Sequence, residues 1–215
     1  PYEPYFMQQH LPGRTGLRML SIGSGICSHE IVFAQSPHFS KVVCVDIAGN
    51  LLRAAEAKAK ALELTNMEFR EADLYQMEWA EEAYDIVFFH ASLHHFDAVE
   101  RLLQDRVKPT LRKGGIVLIN EYVGPNRIQY PKEQIKAVNE TLQLIPKTYR
   151  QRFKTNVLKN RVSGPGLWRM ILADPSECVD AESIIPELHR HFEVVEERPY
   201  GGNLLMPVLK DIAHH

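Results

Sequence analysis

Apolar residues along this chain fall in short runs of strand length, most of them followed by a stretch of helical character. Residues 18–23 (RMLSIG) form the first run; it ends in glycines, and an apolar, helix-length stretch over residues 29–35 comes next. Residues 41–46 (KVVCVD) are β-branched and closed by an acidic group, which predicts a second strand, and residues 49–64, rich in Ala, Leu, Glu and Lys, predict the helix behind it. A short third strand is expected at residues 67–71 and a fourth at residues 84–89 (YDIVFF). Leu102, Leu103 and Val107 lie on one side of an amphipathic helix over residues 99–111, and after the turn signal Lys113-Gly114-Gly115 a fifth strand is expected at residues 116–122 (IVLINEY).

Strands alternating with helices, several of them nearly continuous in apolar residues, predict an α/β chain with a doubly wound, mostly parallel sheet covered on both faces. From Gly124 to about Asp180 the rhythm stops. Helix-like, Arg/Lys/Gln-rich sequence takes over, broken by Pro131, Pro146 and Gly164-Pro165-Gly166, and reads as a helical lid inserted between strands five and six. The rhythm resumes with a helix over residues 181–190, a sixth strand over residues 192–200 and a last helical stretch over residues 204–213, with no seventh strand after it.

Composition narrows the partners. A chain of 215 residues, 45% hydrophobic and 24% charged, suits one soluble globular domain with a modest insertion. Its 25 basic residues against 27 acidic ones leave no positive field to gather phosphates, so nucleic acid is not an expected partner. The densest basic stretch, residues 147–161, reads as the solvated face of the helical insertion. Cys27, Cys44 and Cys178 are widely spaced and without a CxxC pair, which predicts neither disulfides nor zinc and fits a reducing cytoplasm. No run approaches the length of a membrane span, and the N-terminus has no export pattern. The start at Pro1 and the close on His214-His215 are read as the trimming of a longer polypeptide or as tag residues.

Candidate chemistry begins in Leu20-Ser21-Ile22-Gly23-Ser24-Gly25-Ile26-Cys27. Glycines between a strand and a helix let the backbone turn sharply and lie against a bulky ligand near the helix N-terminus, although a tight turn without a ligand has the same pattern. Asp46, at the end of the second strand, stands where a carboxylate accepts both hydroxyls of a ribose. Asp73, after the third strand, either accepts a hydrogen bond from an adenine amino group, with Leu74 packed on the ring, or caps a turn.

Taken in order, SIGSGIC, VVCVDIA, READLYQM, YDIVFFHASLHHF and LRKGGIVLINEY resemble the sequential motifs of class I S-adenosylmethionine-dependent methyltransferases, over residues 18–122. The resemblance implies a Rossmann-like methyltransferase fold, with S-adenosylmethionine as cofactor and S-adenosylhomocysteine as product. It implies cofactor contacts from Ser21, Gly23, Ser24 and Gly25, from Asp46 and Ile47 at the ribose, from Asp73 and Leu74 at the adenine, and from His90 and Ala91 at the end of strand four. One domain is expected, divided into a cofactor-binding core (1–123), a helical substrate lid (124–180) and a C-terminal completion of the sheet (181–215). Two departures stand out: the family often has an acidic residue where Ser21 stands and a third glycine where Cys27 stands. It also usually closes its sheet with a hairpin of strands six and seven, so this edge is either truncated or finished otherwise. NAD-dependent dehydrogenases share the glycine turn and the acidic residue, but their G-x-G-x-x-G needs glycine where Ser28 stands.

A hydroxyl acceptor must lose a proton as it gains a methyl group, and a histidine, with an ordinary pKa of about 6.5, suits that task. His95 is the expected base, with His94 and Glu121 as further catalytic candidates, although such histidines also serve to shape loops. Tyr122, Asn126, Arg127 and Tyr130 are candidates to hold a polar acceptor, and hinge and packing work is the alternative. The spacing of His90, His94, Asp97 and Glu121 matches no dedicated metal site, so no metal is expected. NEYVGPNR followed by a helical lid resembles bacterial methyltransferases of polysaccharide and secondary-metabolite pathways, which implies O-methylation of a small polar or sugar-like molecule. Other domains of a longer polypeptide or a second copy in a homodimer are the candidate protein partners, and the competing expectations are a non-catalytic cofactor-binding domain of a larger protein and an NAD-dependent oxidoreductase.

Overall fold

The computed structural model describes residues 1–214; His215, half of the terminal histidine pair, lies outside the described residues. The chain forms two compact units, one of residues 1–93 and 98–121, the other of residues 94–97 and the chain from Tyr122 onward.

The first unit runs α1 (Tyr2–His10), β1 (Leu17–Ile22), α2 (Ser28–Ala34), β2 (Phe39–Asp46), α3 (Gly49–Ala61), β3 (Met67–Glu71), β4 (Tyr84–His90), α4 (Val99–Leu102), α5 (Lys108–Thr110) and β5 (Leu111–Asn120). Its strands make one sheet in the order β3-β2-β1-β4-β5, and every neighbouring pair is parallel. Parallel strands need crossovers that cover the sheet, which is why β1, β2 and β4 carry nearly continuous buried apolar runs, while the edge strand β3 alternates. Met19, Val42, Cys44, Ile86 and Phe88 are sealed in a core with Phe33 of α2 and Leu52 of α3, and Phe6 of α1 packs into the same cluster. The N-terminal helix α1 carries too weak an apolar period to be read from the sequence.

Two local departures have physical causes. The helix expected over residues 99–111 passes from α4 through a π-helical turn, Leu103–Val107, into α5. Pro109 has no N–H and its ring crowds the carbonyl four residues earlier, so the backbone widens just before it. Lys113-Gly114-Gly115 is not a turn before β5 but an irregularity inside it: Leu111 pairs with Tyr84 and Ile116 with Ile86, the extra residues bulging between them. Gly114 has φ +74°, and a Cβ on Gly115 would come within 2.9 Å of the Arg112 carbonyl.

The second unit holds α6 (Lys132–Leu144), α7 (Leu167–Ala173), α8 (Ile184–His191) and α9 (Leu205–Leu209), with short 3-10 turns and an isolated antiparallel bridge between Gln151 and Leu158. Val138 and Leu142 of α6 pack with Val208 and Ile212 as its apolar core. The sixth strand expected over residues 192–200 does not form; after α8 the chain runs without ladder partners to Tyr200. Two adjacent valines followed by Glu196, Glu197 and Arg198 make no alternating face, and Pro199 brings no donor. The charges close on near neighbours instead, Arg198 on Glu196 and Glu197 on His189. Among the described residues no helix is long and apolar enough to cross a membrane, and all three cysteines are buried, none of them in a disulfide.

Candidate functional site

In the first unit β1 lies between β2 and β4, so the chain leaves β1 toward one side of the sheet and enters β4 on the other. Such a switch in strand order opens a crevice at the carboxyl ends of the strands, the place where doubly wound sheets take their ligands. The loop after β1 lies there. Gly23 and Gly25 both have left-handed backbones, with φ +67° and +52°. The amides of Gly23 and Ser24 donate to the Val45 carbonyl at 2.8 and 3.1 Å, tying the turn to β2. A Cβ on Gly23 would stand 2.6 Å from the Ser92 Cβ, whereas one on Gly25 would meet nothing within 4 Å. The first glycine is therefore demanded by packing; the second leaves space above the loop.

Asp46 spans that loop. One carboxylate oxygen accepts from the Gly25 amide and the other from the Ala48 amide, each at 2.7 Å, so the group is fixed between the turn and the start of α3. Ile47 beside it is largely exposed. Asp73 accepts from the Tyr75 amide at 2.9 Å and the Gln76 side chain at 2.8 Å, which is the turn-capping arrangement. Ser21 is buried under the loop, and its hydroxyl donates to Glu30 of α2 at 2.5 Å. Glu30 is itself buried, and loss of water pushes its carboxyl above the ordinary range.

At the end of β4, Nδ1 of His90 lies 2.9 Å from the Tyr2 hydroxyl and 3.1 Å from the Asn120 amide nitrogen, with the His29 ring 3.7 Å away. Burial, then the neighbouring His29, lower its pKa and favour the neutral ring. His29 meets Glu3 at 2.6 Å; burial is the largest single influence on Glu3 and raises its pKa, but the His29 hydrogen bond, a backbone hydrogen bond and the nearby positive charges together outweigh it, so the pKa falls. The sequence reading missed Tyr2, Glu3, His29 and Asn120; a tyrosine and a glutamate near the N-terminus carry no local signal of a partner at the end of a strand. Ala91 turns the chain with φ +48°. Glu121, expected to be catalytic, accepts the amides of Ser92 and Leu93 at 2.5 and 2.6 Å through one oxygen and thereby holds the turn after β4.

In the second unit His94 and His95 sit on a 3-10 turn, their rings 4.3 Å apart. Glu177 faces both, 3.9 Å from Nε2 of His94 and 3.8 Å from Nε2 of His95. Nδ1 of His95 meets Ser176 Oγ at 3.1 Å. The segment carrying Ser176 and Glu177 is clamped by Arg127, which donates to the carbonyls of Pro175 and Glu177 at 2.6 and 3.2 Å. Asn126 and Glu182 bond reciprocally, each side chain to the other's amide, at 3.0 Å. Tyr122 donates to the Pro125 carbonyl at 3.1 Å, and burial raises the pKa of both Tyr122 and Tyr130. Of the expected acceptor-binding residues, Asn126, Arg127 and Tyr122 are thus engaged in holding loops of their own unit.

Residues 14–181 match a family model described as a methyltransferase domain. The Escherichia coli protein YafE is 28% identical over 102 residues, covering 47% of this chain and 49% of YafE, so this chain spans about half the length of that relative. A solved structure from Bacillus halodurans C-125 aligns with a TM-score of 0.57 at 18% identity, over 91% of this chain and 70% of that one, a likeness of fold. Haemonchus contortus phosphoethanolamine N-methyltransferase 2, solved in complex with S-adenosyl-L-methionine, aligns with a TM-score of 0.52 at 26% identity, over 61% of this chain and 30% of that one.

Proposed function

We infer the activity from one premise: this chain belongs to the methyltransferase-domain family, whose model it matches over residues 14–181. Membership supports S-adenosylmethionine as the cofactor, and the activity proposed is transfer of its methyl group to a hydroxyl oxygen of a small polar, sugar-like acceptor. The observation that carries the reading is the loop after β1, two left-handed glycines at the strand-order switch with open space over Gly25 and the Asp46 carboxylate fastened across it. Gly23, Ser24 and Gly25, with Ser21 beneath them, serve the methionine part of the cofactor. Asp46 and Ile47 serve the ribose, Asp73 and Leu74 the adenine, and His90 and Ala91 the sulfonium end.

Bound S-adenosylmethionine supplies a methyl carbon already activated by positive sulfur, so the protein's work is alignment and proton removal. His95 would take the acceptor's hydroxyl proton as the acceptor oxygen gains the methyl group, S-adenosylhomocysteine being the product left by the cofactor. His94 supports that ring, Glu121 holds the turn that leads into the pair, and Tyr122, Asn126, Arg127 and Tyr130 form or brace the acceptor's binding surface. Residues 124–180 act as the substrate lid.

Thermal-shift titration with S-adenosylmethionine, S-adenosylhomocysteine and NAD, followed by a screen of hydroxylated acceptors, tests the reading. Both sulfur compounds are expected to stabilise the protein and NAD is not. His95→Ala is expected to cut kcat by about a hundredfold or more with cofactor affinity kept. Stabilisation by NAD alone sinks the methyltransferase reading, cofactor binding without turnover makes the chain a non-catalytic module, and full turnover in the variant removes the base assignment.

A further inference from the structure

His94, His95 and Glu177 are brought together from two distant segments of the second unit, and their ligand atoms all lie within 4.8 Å of one another. We propose that these three side chains form a binding site for a divalent transition-metal ion of the zinc and cobalt class. The expectation of no metal rested on spacing along the chain, and the third ligand is invisible to spacing because folding alone delivers it.

The hydrogen bonds around His95 decide what its Nε2 offers. Ser176 donates its hydroxyl proton to Asp174 Oδ1 at 2.7 Å, and the Ser176 amide reaches the same oxygen at 2.9 Å. Having spent its only proton, Ser176 Oγ can meet His95 Nδ1 at 3.1 Å only by accepting, so Nδ1 carries the hydrogen. In the neutral ring Nε2 then presents a lone pair toward Glu177 Oε2 at 3.8 Å, and Glu177 Oε1 stands 3.9 Å from Nε2 of His94. These separations are too long for hydrogen bonds. Two ligands at about 2.1 Å from one tetrahedral ion stand about 3.4 Å apart, so each histidine must draw in on Glu177 by about half an ångström, and the whole set, now within 4.8 Å, must contract around the ion.

The surroundings match those of metal-binding histidines, whose second nitrogen is held by a hydrogen-bonded partner that fixes ring and tautomer. Here the chain is His95 Nδ1, Ser176, Asp174. The Arg127 clamp fixes the Glu177 backbone, and the Cys178 thiol donates to Glu177 Oε1 at 3.3 Å, orienting the carboxylate. Two imidazoles and one carboxylate suit zinc, cobalt and nickel over magnesium, and three protein ligands leave positions open. An ion there takes up the Nε2 lone pair, so in the metal-loaded protein His95 holds the ion and no longer serves as the base, and the ion acidifies a hydroxyl bound at an open position; that consequence rests on the proposed methyl transfer, whereas ion binding does not.

The test is titration of Co2+, then Zn2+, into the full chain freed of metal by a chelator, followed by visible absorption and heat, with no cofactor present. One Co2+ per chain is expected, with the absorption of a nitrogen- and oxygen-ligated ion. Glu177→Gln, which keeps an acceptor for the Cys178 thiol, and His95→Ala are each expected to weaken binding by about tenfold or more, and Ser176→Ala by about tenfold through the tautomer. His189→Ala and His214→Ala should change nothing. Absence of the cobalt spectrum, binding that survives Glu177→Gln, or binding that follows His189 or His214 overturns the proposal. A chain that binds Co2+ but neither sulfur compound sinks the methyltransferase reading and leaves this one standing; the opposite result does the reverse.

Discussion

The two units are held together by different physics. In the first, a five-stranded parallel sheet seals Met19, Val42, Cys44, Ile86 and Phe88 completely, and the loops hang from strand ends whose positions that burial fixes. In the second, Val138, Leu142, Val208 and Ile212 make a small apolar cluster, and polar side chains reaching for backbone groups fasten the loops around it. The buried ammonium of Lys159 donates to the carbonyls of Pro207, Val208 and Lys210 at 2.8, 3.1 and 2.6 Å, gathering the chain around α9. Asn139 of α6 holds Val162 from both sides, accepting its amide at 2.8 Å and donating to its carbonyl at 2.9 Å. Hydrophobic burial sets the geometry of a sheet wholesale, while side chain–backbone bonds set it one loop at a time. A substitution in the second unit should therefore act more locally.

The largest effect expected is at Gly25. Gly25→Val puts a branched side chain into the open space over the loop and strains a left-handed backbone by about 1–3 kcal/mol. Calorimetric binding of S-adenosylmethionine should vanish while circular dichroism still reports the sheet; intact affinity would show that the cofactor lies elsewhere. Gly23→Ala adds a collision with Ser92 to the same backbone strain and should cost about 3 kcal/mol. Hydrogen exchange is expected to rise across β1, β2 and β4 together, because the sheet is one cooperative body.

Lys159→Met keeps much of the apolar stem but strands three carbonyls, and should cost about 2 kcal/mol. Exchange should rise around α9 and leave β1 and β2 unchanged; loosening of the sheet would erase the contrast between the units. The smallest effect should be a gain. Glu30 has a raised folded pKa, so its charge costs stability above that pKa and the cost fades as pH falls through it. Glu30→Gln keeps an acceptor for Ser21 and should stabilise the protein by about 1 kcal/mol at neutral pH, with the advantage shrinking in acid. Equal denaturation midpoints across that range would show that folding leaves the Glu30 pKa where it is in the unfolded chain.

Much of the first unit was legible in advance. The five strands and the glycine turn follow from apolar runs and from residues that tolerate left-handed backbone, both local properties. The sixth strand expected over residues 192–200 is absent, and the missing alternation and Pro199 are the local reasons. At the candidate site, the positions of Asp46 and His90 at strand ends were readable, but what they touch was not. Asp46 is bonded to two amides, and His90 is enclosed by Tyr2, His29 and Asn120 from three other segments.

The sequence by itself determined where the chain turns and which stretches enter the sheet, because burial period and backbone tolerance are written residue by residue. Only the tertiary structure decided that Ser21 answers to Glu30, that Glu121 braces a turn, and that Arg127 clamps the segment bearing Glu177 against two histidines. Those pairings depend on which loops close on one another, and a hydrogen-bond partner contributed by a distant loop leaves no period in the sequence to be read.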